Sequence, residues 1–185
     1  MNIGLSPGFS SLASTGGEKL IAKALFKQGK KIMFGTSSNE PKLLFPGLAG
    51  FYAAVSDLWY PMIRVAIGAI VFMHGWAKFN AGAGRIAGAF GNNYGLPMPT
   101  LLAYSAIFLE TVGCVCIIIG LFTRFFAAAL AIELLIAMFA AHWVKGFSVG
   151  AGGFEYVLFL GIVMFAIALR GGGPYSVDRM IGKQL

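Results

Sequence analysis

Four apolar stretches, each near the length of a membrane-spanning helix, follow one another beyond residue 58. They cover residues 59–79, 100–122, 124–144 and 154–170. A helix needs about 20 mostly apolar residues to cross the hydrocarbon core of a bilayer. Segments rich in glycine and proline separate most of the stretches, and the alternation typical of strands does not appear. The pattern predicts an all-α fold, a four-helix transmembrane bundle over residues 59–172.

The breaks between the stretches predict the connections. The third stretch follows the second almost directly, so Thr123 and Arg124 are predicted to form a tight turn at the membrane surface. "GAGRIAG", residues 82–88, is rich in glycine but follows no strand and lacks the full dinucleotide-binding spacing, so we expect a flexible loop. Residues 173–185 are polar enough to leave the membrane as a cytoplasmic tail. Arg64 is expected to reach the cytoplasmic surface or to pair with Asp57.

The first 58 residues have a different pattern. Residues 18–34 carry five lysines, and apolar side chains recur there at helical spacing. This predicts a basic amphipathic helix on a membrane surface, with a disordered basic tail as the alternative. Residues 43–57 are apolar but broken by Pro46, and we expect them to lie in the interface or to dip partway into the membrane. No apolar core typical of a cleavable signal peptide follows the start. Residues 1–58 are thus predicted to be a basic amphipathic and interfacial arm.

Composition places the chain in a membrane. Hydrophobic residues make up 58% of the 185 positions and charged residues only 11%, with a mean hydropathy of +0.79. Soluble domains contain about 25% charged residues, so this chain cannot cover a water-facing surface. The formal net charge of +7 indicates attraction to anionic lipid rather than to nucleic acid. Most lysines and arginines flank the side that holds both termini, which predicts cytoplasmic termini in the inner cell membrane.

Two histidines and a glutamate are predicted to form one layer at the outer face. The first and third helices run in the same direction, so His74 and His142 reach similar depths, and Glu155 begins the fourth helix at that face. Lys78 lies one turn after His74, and its long stem is expected to reach the headgroups. This layer, together with Lys78, is a candidate quinone site. The alternatives are hydrogen bonds between helices, a bis-histidine haem or a His/His/Glu metal site.

Two further carboxyl groups lie near the middle of predicted spans, Glu110 in the second and Glu133 in the third. A carboxylate at the bilayer centre costs at least about 2.5 kcal/mol on insertion scales. Each must therefore face the bundle interior, be protonated or be paired. We expect a proton relay or a buried ion pair.

Six blocks of the sequence resemble the DoxX family of small four-helix membrane proteins, over about residues 60–180. The blocks are "RVAIGAIVFMHGWAKF", "GLPMP", "FLETVGCVCIIIGLFTR", "AAHWVKG", "GGFEY" and "GGGPYSVD". Some family members are subunits of quinone-linked oxidoreductases, including thiosulfate:quinone oxidoreductases. The resemblance implies a four-helix fold and an association with redox chemistry.

Two functional hypotheses follow. In the first, the chain is a membrane subunit of a quinone-linked oxidoreductase, and partner subunits supply the catalytic centre because no flavin, haem c or iron–sulfur motif is recognisable. In the second, it is a non-catalytic structural, accessory or assembly subunit of a larger membrane complex. Cys114 and Cys116 point to different sides of one helix, which argues against a disulfide-generating enzyme.

Overall fold

The structure is a computed structural model that describes residues 43–184. Every regular element in this range is helical, and it contains no strand. A boundary between two compact units lies after Gly50. A 3-10 turn, Pro46–Leu48, precedes helix α1, Ala49–Val55. The amphipathic helix predicted for residues 18–34 lies outside the described residues.

Four long helices form the bundle: α2 (Trp59–Ala81), α4 (Pro99–Ile119), α5 (Thr123–Lys145) and α6 (Glu155–Arg170). The first three are long and apolar enough to cross a membrane. Helix α6 is equally apolar but has 16 residues, which span about 24 Å. The prediction of an all-α bundle is confirmed, with the predicted spans ending within three residues of the observed ones.

Two of these helices contain a π-helical turn. In α4 the turn covers Leu109–Gly113, and in α5 it covers Met138–His142, followed by a 3-10 turn, Trp143–Lys145. A π-helical turn inserts one extra residue into a helix and rotates the side chains beyond it, and such turns are frequent at functional sites. Glu110 and His142, two of the predicted site residues, both lie within these turns.

The segment predicted to be a flexible loop is a helix, α3, Ala83–Asn92. Gly82 alone breaks the chain, since it adopts φ 86°, where a side chain would be strained. Gly84 and Gly88 then continue helically, because a glycine in a helix costs only about 1 kcal/mol and packing offsets that. Helix α3 packs along α4 and buries Ala87.

The core lies between two helix pairs, α2 with α4 and α5 with α6. Gly68 allows the first pair to approach closely, since a Cβ there would lie 2.7 Å from Cγ1 of Ile118. The largest fully buried apolar side chains come from all four long helices: Val71, Ile117, Leu130, Met164 and Ile167. Large apolar side chains also cover the outside of the bundle, as expected of a surface that faces lipid: Phe125, Ile132, Phe159, Ile162 and Phe165.

A three-residue turn, Gly120–Phe122, joins α4 to α5 and defines the hairpin end of the bundle. Thr123 and Arg124, predicted to be the turn, are instead the first residues of α5. The carboxylate of Asp178 accepts hydrogen bonds from the backbone N–H of Phe122 (2.7 Å) and Thr123 (3.0 Å) and from the Thr123 hydroxyl (2.7 Å). Asp178 lies far from α5 in the sequence and nevertheless caps the N-terminus of that helix.

Asp178 belongs to a short helix, α7 (Val177–Ile181), in a C-terminal segment that folds back on the hairpin end. Tyr60 donates a hydrogen bond to the Gly171 carbonyl. Arg64, only 2% exposed, donates to the carbonyls of Gly172 and Tyr175. The expectation for Arg64 was wrong, because these carbonyls surround its guanidinium. We call residues 171–182 the C-terminal lock.

Candidate functional site

One ion pair lies inside the bundle near the end opposite the hairpin turn. The Lys78 ammonium, in the last turn of α2, donates a hydrogen bond to Oε2 of Glu110 in α4. The side chain of Glu110 is 6% exposed and that of Lys78 is 27% exposed. The expectation that Lys78 reaches the headgroups was wrong, since its ammonium turns inward. A carboxylate at this depth needs a cation, and Lys78 is the cation within reach.

Gly75 determines this pairing. A Cβ at Gly75 would lie 2.6 Å from the Cβ, carbonyl carbon and carbonyl oxygen of Glu110. The backbones of α2 and the π-helical turn are therefore in direct contact, which places Lys78, one turn further along α2, beside the Glu110 carboxylate. Gly75, the glycine of "HGWAK", is the sequence feature that could have indicated this close approach of α2 to α4.

A cavity of about 350 Å³ lies on one side of the ion pair, between α4 and α5. We call it the membrane cavity. Its lining is mostly apolar, with Phe90 of α3 and Tyr94 at one end. On the N-terminal side of its π-helical turn, α4 packs on α2 and α3, whereas α5 packs on α6, so a cleft opens between α4 and α5. Ile132 and Ile136, both exposed, form its lipid-facing rim.

Glu133 enters the membrane cavity from α5. Its Oε2 atom is buried and has no hydrogen-bond partner among the described residues. An unpaired carboxylate oxygen in an apolar site is costly unless it carries a proton or meets a ligand. Glu133 is thus a polar group available to an occupant of this cavity.

A second cavity, of about 340 Å³, lies on the other side of the ion pair, among α2, α5 and α6. We call it the loop cavity, because Val149, Gly152 and Gly153 of the α5–α6 connection border it. Five residues line both cavities and so form a common wall: Lys78, Glu110, Leu134, Ala137 and His142.

The predicted histidine layer is partly assembled. His74 and His142 both line the loop cavity, and His74 is exposed there, with its ring centroid 6.4 Å from that of Tyr156. Nδ1 of His142 lies 2.8 Å from the Gly152 carbonyl. A carbonyl only accepts hydrogen bonds, so this nitrogen carries the proton and Nε2 remains available.

Glu155 is not part of this layer. Its Oε2 accepts a hydrogen bond from the backbone N–H of Val149 at 3.1 Å, and it borders neither cavity. The expected grouping of Glu155 with the two histidines was therefore wrong. Glu155 begins α6 and faces the N–H groups of its own connecting loop, as carboxylates at helix starts commonly do. Between residues 43 and 184, no group of three or more side chains has the arrangement of a metal site.

Comparison with known proteins identifies the family. A sequence model of the DoxX family matches residues 59–143. A protein of Bacillus subtilis (strain 168) named "Putative oxidoreductase CatD" is 32% identical over 122 residues, which are 66% of this chain and 86% of that relative. The chain belongs to the DoxX family. No solved structure matches this DoxX protein. The match to the DoxX model includes the common wall and Glu133, and it ends before Glu155 and the C-terminal lock.

Proposed function

We propose that this DoxX protein is an integral membrane subunit of a quinone-linked oxidoreductase and that the membrane cavity binds the quinone headgroup. One observation carries the proposal: an apolar cavity opens between exposed apolar side chains on the outside of the bundle and ends inside on the Lys78–Glu110 pair and Glu133. A ligand dissolved in the bilayer enters such a cleft without crossing water. The name of the Bacillus subtilis relative also supports redox chemistry.

The lining suits a quinone. At about 350 Å³ the cavity falls in the usual range for small-molecule sites, and Phe90 and Tyr94 offer flat surfaces to a ring. The Lys78 ammonium has three N–H groups, of which one is used by Glu110, so it has donors left for a quinone oxygen. With Nδ1 directed at the Gly152 carbonyl, His142 leaves Nε2 to hydrogen-bond with an oxygen of the quinone or quinol.

A bound quinone accepts two electrons and two protons to become a quinol. The electrons come from a reduced partner subunit, since the sequence has no recognisable flavin, haem c or iron–sulfur motif. The residues of this chain orient the ring and provide the protons. Lys78 donates a hydrogen bond to one oxygen, Glu110 fixes the position of Lys78, and Glu133 holds a proton at the other side of the cavity.

We also propose that both termini are cytoplasmic and that the inner cell membrane contains the protein. The hairpin end carries Arg64, Arg124, Arg170 and Arg179, whereas the end with the two cavities carries Lys78, Arg85 and Lys145. The positive-inside rule then places the hairpin end in the cytoplasm and the cavities in the outer half of the bilayer.

Quinone extraction from the purified protein, isolated with a mild detergent, tests the proposal. Ala129 lines the membrane cavity, so Ala129→Trp should fill it and lower the bound quinone at least about tenfold. Ala69→Trp is the matched control, because Ala69 lies on the exposed face of α2 and borders neither cavity. Glu133→Gln should retain quinone and slow its reduction in the parent complex by about 10²-fold.

The same preparation distinguishes a quinone-binding subunit from a structural or assembly subunit. Protein that carries no quinone, binds none when it is added and still copurifies with a large complex would be a structural or assembly subunit. Equal quinone content in Ala129→Trp and Ala69→Trp would place the quinone elsewhere and contradict the site.

A further inference from the structure

We propose that the loop cavity is a separate, water-side proton entrance to the membrane cavity, with the Lys78–Glu110 pair at its inner end. The inference rests on the proposed function, because it supplies the protons that a quinone in the membrane cavity requires.

The geometry of the common wall is the first argument. Lys78 and Glu110 border both cavities, so the ion pair has one cavity on each side. The remaining common residues are Leu134, Ala137 and His142, and three of these five side chains can carry or accept a proton. A proton that leaves Lys78 on one side is replaceable from the other side without movement of a helix.

The chemistry of the two openings is the second argument. Exposed isoleucines, Ile132 and Ile136, form the rim of the membrane cavity. Hydrocarbon contains no water, so protons do not reach the ion pair by that route. The loop cavity instead has His74 and Tyr156 at its edge and the backbone of Gly152 and Gly153 above it. These groups hydrogen-bond to water.

Hydrogen bonds and close packing hold the α5–α6 connection in place above the loop cavity. His142, at the end of α5, hydrogen-bonds to the Gly152 carbonyl. Glu155, at the start of α6, accepts a hydrogen bond from the Val149 N–H, so the connection is anchored to both helices. Gly153 is packed so tightly that a Cβ there would lie 2.2 Å from the Gly146 carbonyl oxygen. The loop cavity therefore keeps its opening, which a proton entrance needs.

Lys78 and Glu133 each supply one proton to the quinone. Lys78 gives a proton to a quinone oxygen as two electrons arrive from the reduced partner subunit, and its amine then takes a proton from water in the loop cavity. Glu133 gives the second proton, and its carboxylate is reprotonated through Lys78. Two protons thus leave the outer aqueous phase for each quinol formed, and both residues return to their starting state.

Cysteine labelling tests the two cavities independently of activity. In the Cys114→Ala/Cys116→Ala background, His74→Cys reports the loop cavity and Ala140→Cys reports the membrane cavity, since each residue borders only the cavity it reports. A charged, membrane-impermeant maleimide should label His74→Cys in sealed vesicles at least about tenfold faster than Ala140→Cys. Ala69→Cys, on the exposed face of α2, is the control for lipid exposure and should also be slow.

Added short-chain quinone distinguishes the two proposals. It should protect Ala140→Cys from an apolar maleimide and leave the labelling of His74→Cys unchanged. A protected Ala140→Cys combined with a His74→Cys that the charged reagent does not reach would overturn the entrance alone. If quinone protects neither cysteine, the quinone site is wrong and the entrance falls with it.

Discussion

The Lys78–Glu110 ion pair separates the membrane cavity from the loop cavity. Glu110 is buried and pairs with the partly exposed Lys78, while Glu133 nearby has a buried oxygen with no partner in the described part of the chain. Of the two carboxyl groups, Glu110 therefore has a cationic partner and Oε2 of Glu133 has none among the described residues. Breaking a buried pair leaves one charge without compensation, which costs more than removing both charges together.

A double-mutant cycle on this pair should show strong coupling. Lys78→Met alone should lower the free energy of unfolding by about 2–3 kcal/mol, less than for a fully buried pair because Lys78 is 27% exposed. The double variant Lys78→Met/Glu110→Gln should recover most of that loss. Unfolding in mixed detergent micelles measures each value, with Arg85→Met as the exposed control. Additive effects of the two substitutions would show that the pair is not formed.

At the element scale, the hydrophobic pattern predicts the four long helices but not the irregular parts that build the site. The predicted spans depend on length and apolar content, which local sequence contains. The π-helical turns at Leu109–Gly113 and Met138–His142 depend on how α4 and α5 pack, and no local signal marks them. The glycine content of residues 82–88 predicts a loop, whereas the packing of Ala87 against the bundle stabilises helix α3 there.

The candidate site shows the same limit. From its cost in the membrane, Glu110 was predicted to face the bundle interior, to be protonated or to be paired, and in the structure it is buried and paired with Lys78. Its partner was not predicted, because a lysine at a helix end can extend outward or turn inward with equal ease. The contact of Gly75 with Glu110 decides between the two, and such a contact between helices is tertiary information. Glu155 was misplaced because depth alone does not give the direction in which a side chain points.

The C-terminal lock should stabilise the α4–α5 hairpin. Asp178→Ala removes the acceptor for three hydrogen bonds and leaves Phe122 N–H and both Thr123 donors unsatisfied. At about 1 kcal/mol for each bond, the free energy of unfolding should fall by about 3 kcal/mol. Tryptic cleavage at Arg179 and Lys183 should also accelerate. Arg179→Ala, an exposed neighbour, should leave stability nearly unchanged; an equal loss in both variants would contradict a specific cap.

The two ends of the bundle differ in packing: one end is filled and the other contains the two cavities. The hairpin end is filled by carbonyl groups, guanidinium groups and the Asp178 carboxylate. The other end holds the two cavities and the Lys78–Glu110 pair. A filled end gives a rigid base, and an open end gives room for a ligand and its protons. The arginine distribution along the same axis supports the proposed direction of insertion.

Reporter fusions should confirm this direction. A reporter fused after Leu185 should be active in the cytoplasm, and one inserted near Asn92, at the end of α3, should be active outside. Alkaline phosphatase and green fluorescent protein form a matched pair of reporters, since each works on one side only. An external Leu185 would move both cavities to the cytoplasmic half and reverse the side from which protons enter.

The dependence of the hairpin end on residues 171–182 sets an order of events in biogenesis. These residues leave the ribosome after all four long helices, yet they supply the Gly172 and Tyr175 carbonyls to Arg64 and the cap for α5. During synthesis, Arg64 must therefore stay in contact with water or lipid phosphate until Gly172 and Tyr175 have left the ribosome. Insertion of the four helices and formation of the C-terminal lock are therefore separate steps, and a released chain that ends before residue 171 should give an inserted but unlocked bundle that quality-control proteases can recognise.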